Sequence, residues 1–110
     1  MDKKLKDQLS KIKLLICDID GVLTDGSFIK STSGEELRSF NALDGVGFVM
    51  LRLLDLNIKT AWITGRESLT TTQRAEELQI DDIYNGVIRK IDAYDELKEK
   101  YGISDNEICF

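Results

Sequence analysis

The sequence predicts one α/β domain: an open, Rossmann-like parallel sheet with helices on both faces and a β-hairpin inserted after the first strand. Three observations carry this. The continuous apolar run Leu14–Cys17 suits a strand covered on both faces, and residues 58–63 form a second strand of the buried type. Segments of helical period alternate with strands as far as residue 110. Between the first strand and the next helix, Ser-Thr-Ser-Gly ending at Gly34 separates two short extended stretches.

The elements follow in order. Leu5, Leu9 and Ile12 recur at helical spacing and predict a short amphipathic lead-in helix. Residues 13–18 are the first strand, followed by a loop containing Gly21 and Gly26. Residues 28–30 and 36–40 pair as the hairpin, with Gly34 supplying the turn. Asp44 caps a helix running to about Leu56, with Phe48, Leu51 and then Leu54 or Asp55 on its apolar face and Asn57 as its stop. Residues 68–78 are the next helix and 82–84 a short third strand. Residues 90–101 form a helix with Ile91, Tyr94 and Leu97 on its apolar face, stopped by Gly102. Ser104 and Glu107 have capping-box spacing, and residues 108–110 begin a fourth strand.

Composition narrows the function. The 110 residues suffice for one core, and no internal repeat or linker interrupts them. The net charge of -5 argues against nonspecific attraction to nucleic acid or an anionic membrane. No segment approaches a membrane span or a secretory h-region, and Cys17 and Cys109 suit reduced thiols in an apolar setting, so a cytoplasmic location is expected. The chain has no histidine. Ser-His-Asp and Cys-His catalysis and His-ligated metals are thereby excluded, and proton transfer falls to carboxylates, Lys, Tyr or Cys.

In an open parallel sheet, ligands bind beyond the carboxyl ends of the strands, near the switch in strand order. Asp18 and Asp20 follow the first strand, Thr64-Gly65-Arg66 the second, and Lys90 the third. Two carboxylates at i and i+2 after a strand share one small volume, where mutual repulsion favours a bound cation or a raised pKa on one of them. Mg²⁺ suits such an all-oxygen site. One carboxylate can attack phosphorus, and the other can protonate the leaving oxygen and then activate water. A lone Asp-Gly commonly just ends a strand; an apolar run followed by DIDGVLTDG favours the site. Thr64 and Ser68 serve equally as helix caps or phosphate ligands. Lys90 could be a solvated first-turn lysine, and Arg89 competes with it for charge neutralisation.

These residues resemble a known family. CDIDGVLTDG is similar to the first motif of the haloacid dehalogenase superfamily of phosphatases, ITGR at 63–66 resembles the second, and Lys90 falls where the third-motif lysine belongs. GEELRSFNALDGVGF and NGVIRKIDAYDELKEKYGIS are similar to segments of a capless branch, the 3-deoxy-D-manno-octulosonate-8-phosphate phosphatases. The resemblance covers about residues 12–110. It implies Asp18 as nucleophile and Asp20 as general acid/base, with Mg²⁺ held by Asp18 and by the backbone carbonyl of Asp20. It implies Thr64 as the phosphoryl ligand, Lys90 as the residue that steadies phosphoryl group and nucleophile, and Gly65 and Arg66 as substrate-binding, Arg66 toward the sugar acid's carboxylate. It also implies a homotetramer whose hairpins pack against neighbours and help cover the adjacent active site.

The branch carries a fourth acidic motif of Gly-Asp-Asp type just after the strand that begins here at Ile108, and this chain ends at Phe110. Residues 1–110 are thus expected to be one phosphatase domain lacking its fourth motif, a fragment with weak or no activity alone. The expected substrate is a phosphorylated 3-deoxy sugar acid in lipopolysaccharide precursor synthesis. The alternatives are a nine-carbon sialic-type acid phosphate, or a non-catalytic oligomerisation or binding module of the same fold.

Overall fold

The computed structural model describes residues 1–110. A short helix α1 (Lys3–Leu9) leads into strand β1 (Leu14–Cys17), the hairpin strands β2 (Ile29–Lys30) and β3 (Glu36–Leu37), and helix α2 (Ala42–Leu53). Strand β4 (Lys59–Ile63), helix α3 (Leu69–Glu77), strand β5 (Asp82–Tyr84), helix α4 (Lys90–Tyr101), a 3-10 turn (Asp105–Glu107) and strand β6 (Ile108–Cys109) complete it. The main sheet is parallel, in the order β5-β4-β1-β6. The chain steps outward from β1 to β4 to β5, then returns through α4 to the other side of β1. Right-handed crossovers on either side of such a reversal place helices on opposite faces.

The side chains follow that geometry. Leu14 and Ile16 of β1 point to one face, where Ala61, Ile63, Ala93 and Leu97 complete a buried cluster under α4. Trp62 points to the other, with Ile19, Leu23, Phe48, Ala75, Leu78 and Ile80 under α2 and α3. Phe48 meets Trp62 edge-on at 5.7 Å between ring centroids, and Phe40 stacks on it at 6.2 Å. The parallel α/β sheet with helices on both faces and a separate antiparallel hairpin is the predicted fold.

Local boundaries differ in instructive places. Asn41, not Asp44, caps α2: its side chain accepts from Leu43 N at 2.8 Å, and Asp44 lies in the first turn, where its charge suits the helix dipole. The helix ends at Leu53, and Asp55 (φ 50°) and Asn57 (φ 56°) reverse the chain in left-handed conformations. Its buried face is Gly45 and Phe48, backed by Leu51, while Leu54 is exposed. In α4 the buried pair is Ala93 and Leu97, and Ile91 is half exposed. Gly102 (φ 61°) ends α4 in the left-handed region, and Ser104 and Glu107 form their capping box on the 3-10 turn. No residue of α1 is buried: with seven residues it offers Leu5 and Leu9 to solvent, and Ile12 lies beyond it.

Two consequences are measurable. Leu97 is fully buried (0 % exposed), so Leu97→Ala should lower unfolding free energy by about 2–5 kcal/mol in a urea titration. Both cysteines are free, and burial, reinforced by Cys109 and then Asp44, pushes the Cys17 thiol up to about 11. Its alkylation at pH 8 should run roughly a hundredfold slower than that of an unhindered thiol, as followed by mass spectrometry.

Candidate active site

Strand β1 lies between β4 and β6, so its carboxyl end is the switch point of the sheet. The chain leaves it through Ile19, whose side chain is buried in the α2/α3 cluster. The Ile19 carbonyl accepts from Val22 N, Leu23 N and Thr24 N at 3.1, 2.9 and 3.1 Å, curling the segment into one tight turn. Thr24 Oγ1 accepts from Gly21 N at 3.3 Å and Gly26 N at 3.2 Å, tying both glycines of the loop to one hydroxyl. Gly21 takes φ 86°, a conformation that side chains resist. With Ile19 anchored, its two neighbours go to the rim.

Asp18 Oδ1 accepts from Ile19 N at 2.8 Å and meets Lys90 Nζ at 3.0 Å. Lys90 is the first residue of α4. Arg89, its rival, turns away to Asp92 and is largely exposed. Asp20 pairs with Arg38 instead, Nε to Oδ1 at 3.0 Å. Each carboxylate of the predicted pair thus carries its own cation.

Thr64 follows β4 directly and is almost fully buried. Its N–H donates to the Tyr84 carbonyl at 2.9 Å, its own carbonyl accepts from Val87 N at 3.0 Å, and its Oγ1 accepts from Arg66 N at 3.3 Å. The hydroxyl sits on the rim one strand over from Asp18, because Cys17 pairs with Trp62 in the sheet register. Gly65 lies between it and Arg66, which reaches across to the hairpin: Nη2 to Glu36 Oε1 is 2.9 Å, and the guanidinium lies 4.1 Å from the Phe28 ring centroid. Ser68 caps α3, accepting from Thr71 N at 3.4 Å.

The hairpin residues are what sequence reasoning missed. Glu36 and Arg38 alternate with Leu37, so they share a face of the strand. Glu36 meets Arg66 and Arg38, and its backbone carbonyl accepts from Thr70 Oγ1 at 2.9 Å. The only available signal was two opposite charges at i and i+2, which usually means a solvated edge. In the structure the hairpin folds back over its own chain's rim.

The donors at the β1 end are all oxygen, which fits Mg²⁺ in kind. In number they are few: nowhere do three or more His, Cys, Asp or Glu side chains gather as a metal site. One carboxylate, from Asp18, and the backbone carbonyl of Asp20, with water and phosphate oxygens completing the shell, still match the usual habit of Mg²⁺.

No family model matches the chain. Individual proteins do. It is 39 % identical over 99 residues to a 3-deoxy-D-manno-octulosonate 8-phosphate phosphatase of Salmonella typhi, covering 90 % of this chain and 52 % of that protein. The crystal structure of the same phosphatase from Moraxella catarrhalis, with magnesium, phosphate and a KDO molecule, superimposes with a TM-score of 0.89 at 34 % identity, covering 98 % of this chain and 61 % of that one. The Yersinia pestis phosphatase matches with a TM-score of 0.90 at 35 % identity, covering 98 % and 57 %. The chain spans about half the length of the curated relatives it matches.

The Glu36 contacts have a pH signature. Burial works to raise its carboxyl, but hydrogen bonds from Arg38 and Arg66, with the charges of both, hold it below its ordinary value. A depressed carboxyl stabilises the folded hairpin above its unfolded pKa of about 4.3 and loses that stabilisation as pH falls through the lower folded value. Hydrogen-exchange protection of the hairpin amides should therefore hold at pH 5 and fade below about pH 4.

Sequence and fold together make this chain a relative of the 3-deoxy-D-manno-octulosonate 8-phosphate phosphatases, over nearly all of its own residues and about half of theirs.

Proposed function

We propose that residues 1–110 form a haloacid-dehalogenase-like phosphatase domain acting on a phosphorylated 3-deoxy sugar acid, 3-deoxy-D-manno-octulosonate 8-phosphate. The observation that carries this is the Asp18–Lys90 pair, 3.0 Å apart at the switch point of the sheet. A carboxylate held there by an ammonium group presents a nucleophile to an anionic phosphate whose charge the same lysine offsets. The relatives named above act on that substrate, and the Moraxella structure holds magnesium, phosphate and KDO. We place the reaction in the cytoplasm, in lipopolysaccharide precursor synthesis.

An Asp18 Oδ attacks phosphorus, the bond from phosphorus to the sugar oxygen breaks, and protonated Asp20 gives its proton to that oxygen. Asp20, now a carboxylate, takes a proton from water, which attacks the aspartyl-phosphate. Inorganic phosphate leaves and Asp18 is free again. Lys90 offsets charge on the phosphoryl oxygens, and the Thr64 hydroxyl donates to one of them. Arg66, next to Gly65, would turn from Glu36 to the substrate's carboxylate. The Asp18 carboxylate and the Asp20 backbone carbonyl would hold Mg²⁺, which supplies electrostatic stabilisation of the transferring group.

The active protein is a homotetramer in this reading, with hairpins meeting at subunit contacts. The sparse acid set at the rim favours one second reading, a non-catalytic module of the same fold. Phosphate release by the full-length gene product separates the two. With 3-deoxy-D-manno-octulosonate 8-phosphate and Mg²⁺, Asp18→Asn should reduce turnover about a thousandfold or more while the oligomer persists in analytical ultracentrifugation. Unchanged turnover refutes the nucleophile assignment. Absence of turnover in the unmodified protein supports the module, and preference for a nine-carbon acid phosphate reassigns the substrate.

A further inference from the structure

Arg38 lies in the segment GEELRSFNALDGVGF, which gave it no role of its own, yet it is the most constrained charged side chain at the rim. Its side chain is 0 % exposed. Nε donates to Asp20 Oδ1 at 3.0 Å, and Nη1 lies 3.3 Å from both Glu36 Oε2 and Ser68 Oγ. No other donor reaches the Asp20 carboxylate. The guanidinium is itself anchored on two sides. Ser68 is fixed as the cap of α3, and β3 is tied to α3 by the Thr70 hydroxyl on the Glu36 carbonyl. Phe28, from the other arm of the hairpin, lies 5.6 Å from the Arg38 guanidinium carbon. Seating the hairpin and holding Asp20 are therefore one arrangement.

The fork is not saturated. Nη2 is buried and has no hydrogen-bond partner. A buried N–H without an acceptor is unfavourable, so this end of the guanidinium is ready for an acceptor oxygen brought to the rim, or for the second oxygen of Asp20. An arginine can bind one oxygen and aim another group at the same time because its donors are fixed in a plane.

We propose that Arg38 is a positioning residue for Asp20, so that the second carboxylate is aimed at the leaving-group oxygen only while the hairpin is seated. This rests on the proposed role of Asp20 as acid/base. Arg38 stays protonated throughout; the proton that moves is the one passed from Asp20 to the sugar oxygen as the bond from phosphorus to that oxygen breaks. An aryl phosphate, whose phenolate leaves without protonation, makes little demand on Asp20 in the first step, and the water attack that follows calls on it for either substrate. A sugar phosphate, whose alkoxide needs the proton, makes a large one.

Two measurements test it. In the full-length protein, Arg38→Gln should cut turnover of the sugar-acid phosphate about a hundredfold, the lower end of what general acid catalysis supplies. The pre-steady-state burst of 4-nitrophenolate, which reports the first step alone, should change less than about threefold, and Arg38→Lys should restore the sugar phosphate only in part, since an ammonium lacks the fork. Equal losses of the first step on both substrates, read in single turnovers, would overturn the proposal. The second measurement needs no turnover. Tryptic cleavage at Lys30, in the hairpin, should accelerate about 5–30-fold in Arg38→Gln and by a similar factor in Asp20→Asn, with the double variant no faster than either. Additive effects, or none, would overturn it on this chain alone. Coupling in the proteolysis with equal losses of the first step on the two substrates would reduce Arg38 to a structural clasp, whereas a failed Asp18→Asn test would remove the enzyme reading and leave the coupling standing.

Discussion

Everything at the rim depends on where the side chain of Ile19 goes. It is fully buried under α2 and α3, and its carbonyl gathers three successive amides into one turn. A residue held this way in a chain that is just leaving a strand fixes the direction of both neighbours. Asp18 and Asp20 consequently flank a hydrophobic anchor and cannot retreat from each other by more than a turn allows. Two like charges confined in this way need compensation, and the fold supplies it from distant segments: Lys90 from the start of α4 for one, Arg38 from the hairpin for the other.

The two compensating cations differ in kind. Lys90 is a point charge on a flexible stem and is partly exposed. Arg38 is planar, buried and bonded on two of its three nitrogens. Asp18 thus receives a mobile partner and Asp20 a rigid one. This division suits the proposed chemistry, in which phosphorus moves along the reaction coordinate while the proton donor keeps its aim.

Much of this was legible in the sequence because local and global signals agree. The β5 strand and α4 helix appear with the boundaries that periodicity and Gly102 dictate. Asp18, Asp20 and Lys90 were visible because strand ends and spacing alone bring them to one rim. The α2 cap was misplaced because Asn41 and Asp44 are both good capping residues, and the choice falls to the backbone, which is still extended at Asn41. The apolar face of α4 was shifted by a residue or two because Ala93, a small side chain, packs where a larger one was expected. Arg38 was not legible at all. Its partner Asp20 is 18 residues away, and only the folding back of a hairpin with two-residue strands joins them.

That hairpin carries its own optical reporter. Phe40, two residues beyond Arg38, stacks on Trp62, the one tryptophan of the chain. The indole sits on the central part of the sheet, and the ring resting on it belongs to the segment that leads from the hairpin into α2. Any motion that lifts Arg38 from Asp20 and carries Phe40 with it changes what the indole touches. Intrinsic fluorescence, without label or substitution, then becomes a continuous gauge of whether the rim is open or shut.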